Sequence, residues 1–419
     1  MPSRSRWTAL GALCLAVLAG GCSGKAAEGG DGAGGDGVRT GPGVTAKTIK
    51  LGAISDLSGA VFGPLGRTQV QGNQLYIDKV NAAGGICGRK LELVVKDHGY
   101  DVQKATVAFS ELEPQVLGIT HLLGSPMTAA LEPEIRAKKL LTVPSSFASS
   151  LLSSEYLVVL GSTYDIDMIN GLDYFTTKRR LLAKGDTIGH IYFEGEYGAN
   201  AFRGSSWAAG RLGLTVRGAQ IKATDADLTA QVTKLKAEGA KAILLSASAR
   251  QTASVAGVTR SIGMDVPILT QAPGFDPALL DTPVRAALEK NLTVLTSYAP
   301  YGADAPGPKE VAAAFKAKHP DAPANALADY GYVSAQVLGE ALKQACAEKD
   351  LTREGLRTSY RKLKGLDTGG LMAPMDFTVP GAPASTETFI SRVDAAAEGG
   401  LVAETGPYRA QMTPEYKVR

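Results

Sequence analysis

Histidine, cysteine and aromatic residues are scarce: four His, four Cys, and 6% Phe, Trp and Tyr together in 419 residues. The four His (98, 121, 190 and 319) are scattered, with no spacing that would gather metal ligands. No H-E-x-x-H, G-x-S-x-G or G-x-x-x-x-G-K-[ST] pattern occurs, which removes the zinc-protease, nucleophile-elbow and P-loop readings. Charge of either sign is not in excess. Lys and Arg number 44 against 41 Asp and Glu, a net +3, and no basic run carries interleaved aromatics, so no nucleic-acid partner is expected. Two G-x-G-x-x-G matches begin at Gly30 and Gly32. Neither follows a strand or opens a helix, so neither is a dinucleotide fingerprint, and no cofactor is expected.

Long apolar runs are missing as well. Trp7 to Leu18 is apolar behind Arg4 and Arg6, but it is too short to span a bilayer and reads as the core of a signal peptide. It ends Leu18-Ala19-Gly20-Gly21-Cys22. This resembles the bacterial lipobox, with Ala19 in the slot that usually holds Leu. The resemblance implies removal of residues 1–21, lipidation of Cys22, and an extracytoplasmic protein anchored to the outer face of the cell membrane. Residues 22–46 are rich in Gly, Ala and Asp with little to bury, the composition of a flexible tether.

What is abundant is punctuation, with 49 Gly between short apolar runs. The stretch from Ile49 to Asp97 holds one full strand–loop–helix–strand unit. Ile49 to Ser55 suits a strand buried on both faces, and the loop after it carries Ser58-Gly59 and Phe62-Gly63. A helical pattern through Val70, Leu75, Ile77 and Val80 stops at Gly84-Gly85, and Leu91 to Val95 is the next strand. This unit resembles the start of the bacterial solute-binding proteins that are similar to the leucine/isoleucine/valine-binding protein. The residues that carry the resemblance are Ser58-Gly59, Phe62-Gly63, Gly72, the segment Asn81-Ala82-Ala83-Gly84-Gly85-Ile86-Cys87-Gly88, and Asp97. The similarity continues in order to about Val393.

Strand–helix alternation over this length predicts an α/β protein, and the resemblance implies two doubly wound lobes with parallel-sheet cores joined by a three-crossing hinge, the type I periplasmic-binding-protein-like fold. The expected divisions are 47–163 for the first part of lobe 1, 164–297 for lobe 2, 298–365 for the rest of lobe 1, and 366–419 for the return to lobe 2 and the tail. With Cys14 in the signal peptide and Cys22 at the lipid site, Cys87 and Cys346 remain, and two Cys in an exported chain suggest one disulfide.

Open α/β sheets bind ligands at the carboxyl ends of their strands, and the candidate contacts lie there. Ser125 and Thr128 stand where a strand gives way to a helix, a place where hydroxyls and free N–H groups hold a carboxylate. Ser145 and Ser146 follow the next strand. By resemblance, Phe62 lines the cleft, Thr128, Ser145 and Ser146 hold the ligand carboxylate, Tyr197 contributes a ring, and Asp167 meets a ligand ammonium. N-capping and turn formation would use the same hydroxyls and Asp167, and a core Tyr would account for Tyr197.

Two departures from the amino-acid binders stand out. Phe147 occupies a Thr position, and Thr270-Gln271-Ala272-Pro273-Gly274 has no acid where those proteins place a second ammonium contact. The expected ligand is a small amino-acid-like or carboxylate solute, and the two departures point to a carboxylate that is more apolar, larger or aromatic and needs no α-ammonium, with its body between Phe62, Phe147 and Tyr197. The resemblance implies a monomer that passes this solute to an ABC permease. A ligand-sensing module of a signalling system and a surface-anchored hydrolase are the alternatives.

Overall fold

A computed structural model describes residues 32–33 and 37–418. The signal peptide expected at 1–21 and the lipidation expected at Cys22 lie outside the described residues. The described chain opens with two short strands, β1 (Gly32–Ala33) and β2 (Arg39–Thr40). The end of the expected tether is ordered: Val38 is buried, and β2 pairs in parallel with β12 (Asp350–Leu351). One apolar side chain and a neighbouring strand edge suffice to fix what composition alone reads as flexible.

The first lobe is built on a parallel sheet of β3 (Thr48–Ser55), β4 (Lys90–Asp97), β5 (Gly118–Leu123) and β6 (Thr142–Ser145), in the order β4-β3-β5-β6. All of β5 and most of β3 are buried, as expected where helices cover both faces of a parallel sheet. The covering helices are α1 (Gly63–Ala82), α2 (Val102–Leu112) and α3 (Ser125–Ala137). Residues 157–160 run on as a connector and touch β6 through the isolated bridge Thr142–Leu157.

The second lobe begins with α4 (Tyr164–Asp173) and continues through β7 (Thr187–Phe193), α5 (Glu196–Leu212), β8 (Thr215–Ile221), α6 (Thr229–Ala237), β9 (Ile243–Ser246), α7 (Ala249–Ser261), β10 (Ile268–Gln271), α8 (Arg285–Asn291) and β11 (Leu292–Thr296). These five strands are parallel in the order β8-β7-β9-β10-β11. The chain then returns to the first lobe as α9 (Pro306–Lys318), α10 (Leu327–Ala347) and α11 (Arg353–Tyr360), with α10 lying along α1. A last passage adds β13 (Thr388–Val393) antiparallel to β11 at the sheet edge and β14 (Leu401–Tyr408) antiparallel to β13.

Segments 146–163, 297–305 and 361–387 therefore pass between the lobes, and the α/β architecture of two lobes with parallel cores and three crossings matches the sequence reading. The antiparallel edge is an addition to it. β11 leaves the second lobe towards the hinge and β13 enters it from the hinge, so the two neighbours run in opposite directions.

The α1–α10 contact depends on two glycines. A Cβ on Gly331 would lie 2.1 Å from the Gln69 carbonyl oxygen, and one on Gly72 would lie 2.2 Å from that of Ala328. Cys87 and Cys346 are bonded, with Cα atoms 5.8 Å apart and 259 residues between them in sequence. The bond joins the turn after α1 to the last turn of α10, so the two sequence-distant parts of lobe 1 are held covalently. No helix among the described residues is long and apolar enough to cross a membrane.

Candidate functional site

A cavity of about 260 Å³ lies between the lobes, at the carboxyl ends of strands from both sheets. Its polar end is made at the start of α3. Gly124, with φ +104°, turns the chain from β5 into the helix, and Thr128 N–H to Gly124 C=O is the first helical bond. The Ser125 and Met127 N–H groups precede that bond and have no acceptor within the helix. The Ser125 and Ser146 hydroxyls are 2.7 Å apart. The phenol of Tyr164, the first residue of α4, comes from the other lobe to stand near both hydroxyls and the Phe147 N–H. Burial pushes that phenol up to about 12, although those three donors oppose the shift.

The rest of the wall is apolar. Phe62 meets Tyr100 edge-on at 4.8 Å between ring centroids, and Phe147 meets Tyr164 and Tyr330 at 5.5 and 5.3 Å. Tyr197 leans on Tyr164 at 4.4 Å. Leu65, Leu123 and Leu327 line the first-lobe side, while Ala272 and Pro273 line the second-lobe side. Lys, Arg and His are absent from the described wall, and its charged residues are Glu194, which is exposed, and Glu196, which is half-buried and accepts from Ser150. Both stand at the solvent rim, where Coulomb forces are screened.

The imidazoles of the cleft region lie behind the wall, where burial favours their neutral form. Burial lowers His121 to about 3 and also lowers His98. His121 Nε2 pairs with Ser55 Oγ at 2.9 Å, and His98 Nε2 is 3.1 Å from the Leu123 carbonyl oxygen. Among the described residues no group of His, Cys, Asp and Glu is placed to hold a metal ion.

Of the residues singled out in the sequence, Phe62, Ser125, Ser145, Phe147 and Tyr197 come together on this wall. Ser146 lies one step behind, bonded to Ser125. Thr128 is fully buried off the wall and gives its hydroxyl proton to the Gly124 carbonyl at 2.9 Å, the helix-turn use of a hydroxyl rather than a ligand contact.

Asp167 is off the wall too. Its Oδ1 accepts from Ser162 and, at 2.7 Å, from Thr388, while Ser162 lies 3.0 Å from the Ser297 hydroxyl. These hydroxyls come from or border all three crossing segments, so Asp167 sits at the hinge. Burial raises its carboxyl to about 6 against the pull of the Ser162 and Thr388 hydroxyls. Sequence reasoning missed Tyr164, Tyr100, Gln69 and Tyr298, all of which line the cavity. Tyr164 was within reach of it: three residues before Asp167, it falls on the same side of α4.

Comparison with known proteins agrees with this architecture. The periplasmic binding protein family matches residues 48–400. The chain is 25% identical over 358 residues to the leucine-, isoleucine-, valine-, threonine- and alanine-binding protein of Pseudomonas aeruginosa, covering 80% of this chain and 90% of that one. A solved structure described as a fatty acid ABC transporter substrate-binding protein from Thermomonospora curvata is 45% identical, with a TM-score of 0.89 over 93% of this chain and 99% of that one. A branched-chain amino acid ABC transporter structure from Thermus thermophilus with bound valine shares the fold at 17% identity, with a TM-score of 0.78 over 89% and 99% of the two chains. With two parallel-sheet lobes, three crossings and a cleft between them, this chain belongs to the periplasmic binding protein family and has its type I architecture.

Proposed function

We propose that this protein captures a small apolar monocarboxylic acid in the cleft between its lobes and delivers it, without catalysis, to an ABC permease. The observation that carries the reading is the composition of the wall: aromatic and aliphatic on most sides, with one cluster of hydroxyl and N–H donors at the start of α3. Donors at a helix N-terminus suit an anion without any cationic side chain. An α-ammonium has no buried carboxylate on the wall to meet, because Ala272 and Pro273 follow β10 and Asp167 is bonded at the hinge. A buried ammonium without a partner would cost several kcal/mol.

The 45% identical relative, described as a fatty acid transporter component, supports the same ligand class. Size narrows it further. A cavity of roughly 150 Å³ accepts a six-carbon ring, so about 260 Å³ suits an acid of about eight to ten carbons. Each methylene buried on this wall is worth about 0.8 kcal/mol. Ser125, Ser145 and Ser146 would hold the carboxylate, and Phe62, Phe147 and Tyr197 the body.

Calorimetry is expected to show octanoate binding at least as tightly as leucine, isoleucine or valine. Tight leucine binding together with no octanoate binding would sink the assignment. The lipobox-like run before Cys22 supports anchoring at the outer face of the cell membrane. The mature protein is expected to partition into detergent and to carry acyl mass on its N-terminus, and Cys22→Ser to lose both. Unchanged partitioning of that variant would remove the anchor.

A further inference from the structure

We propose that Tyr164 makes this cleft select a carboxylic acid over an α-amino acid, a refinement that rests on the apolar-acid reading above. Tyr164 belongs to the second lobe but is bound to the first. Its N–H donates to the Phe147 carbonyl at 2.9 Å, and its phenol stands beside the Ser125 and Ser146 hydroxyls and the Phe147 N–H. A ligand carboxylate seated at the start of α3 thus receives an O–H from lobe 2 together with the donors of lobe 1. A carboxylate accepts only, so a convergence of donors fits it, whereas an ammonium brings nothing but donors of its own.

The same side chain closes off the acid that an ammonium would need. Tyr164 lines the cavity, while Asp167, one turn further along α4, is buried off the wall and engaged by Ser162 and Thr388. Phe147 and Tyr197 pack on the Tyr164 ring from opposite lobes, at 5.5 and 4.4 Å. The Gln271 amide donates to the Tyr164 carbonyl at 2.8 Å and holds the backbone there. A ring gripped in this way does not swing aside to uncover Asp167. An α-amino acid brings the same carboxylate, so the phenol holds either ligand, and the discrimination comes from the shield that denies the amine its counter-ion.

The test is calorimetry on the purified mature protein with octanoate, 1-octanol and leucine. Tyr164→Phe keeps the ring and removes only the phenol oxygen. Octanoate affinity is expected to fall roughly 10- to 100-fold, the range for losing a hydrogen bond to a charged group, while 1-octanol, which needs no anion site, changes by less than about threefold. Tyr164→Ala uncovers Asp167, and its preference for octanoate over leucine is expected to drop at least about tenfold below that of the wild type. Equal octanoate affinity in wild type and Tyr164→Phe overturns the assignment, as does an octanoate-to-leucine preference that Tyr164→Ala leaves unchanged. So does a matching loss of octanoate and 1-octanol, which marks a packing role alone. Absence of octanoate binding to the wild type overturns the apolar-acid reading itself.

Discussion

Replacing Gly331 with valine is expected to destabilise the protein by about 3–5 kcal/mol, at the upper end of what single substitutions do. Gly331 lies in α10, where that helix presses on α1, and a Cβ there would meet the Gln69 carbonyl oxygen at 2.1 Å and its carbonyl carbon at 2.9 Å. These are backbone atoms of a buried helix, so nothing can rotate away, and the two helices must separate. Separation also breaks a buried polar contact, because Asn73 Nδ2 donates to the Gly331 carbonyl and, at 2.8 Å, to Ser334 Oγ. Thr120 Oγ1 donates to the other end of the same amide at 3.0 Å. Stranding such groups adds about 1–3 kcal/mol to the steric term.

Gly210→Ala is the matched control. That glycine sits in α5 with nothing within 4 Å of an added Cβ, so the change is expected to stabilise by up to about 1 kcal/mol through helix propensity. Urea unfolding of both variants reads the difference. A Gly331→Val midpoint equal to that of Gly210→Ala would show that α1 and α10 are not held at backbone contact.

Asp167→Asn is expected to flatten the dependence of stability on pH between about 4 and 7 and to raise stability at pH 7.5 by about 2–3 kcal/mol. The carboxyl is raised from 3.8 to about 6 by burial. Between those two values the native state keeps a proton that the unfolded chain has already released. Stability from this group is therefore fully present below about pH 4 and is lost as pH rises through about 6.

The asparagine retains an oxygen to accept from Ser162 and Thr388 but never charges, so the loss at high pH disappears. Because those partners come from or border the hinge crossings, the same variant is expected to bind octanoate with less pH dependence between 5 and 7. Thermal unfolding across pH 4–8 provides the check. Parallel stability profiles for variant and wild type would mean that the Asp167 carboxyl is not raised in the fold.

Short-range chemistry was legible in the sequence. Ile49 to Ser55 becomes β3, the Gly84-Gly85 stop ends α1, and the alternation that follows becomes two parallel-core lobes. Each depends on neighbours within a few residues: apolar period, a left-handed glycine, a turn. Phe62, Ser125, Ser145, Phe147 and Tyr197 reach the cavity wall for a related reason, since residues at the carboxyl ends of strands are delivered to one edge by the topology itself.

What a hydroxyl or carboxyl does once it arrives was not legible. A sequence shows that Thr128 stands at a helix start, but its bond to Gly124 or to a ligand is a matter of rotamer and neighbours. Asp167 lies where the ammonium contact was expected by pattern, yet Thr388, 221 residues away, takes its oxygen. Tyr164 joins Phe147 and Ser125 only because the first crossing folds it back against lobe 1. The antiparallel pair β13–β14 likewise depends on which edge the last crossing reaches. Periodicity and turn chemistry are local and survive in the unfolded chain. The partners of a buried polar group are set by contacts hundreds of residues apart, and these exist only once both lobes and all three crossings are in place.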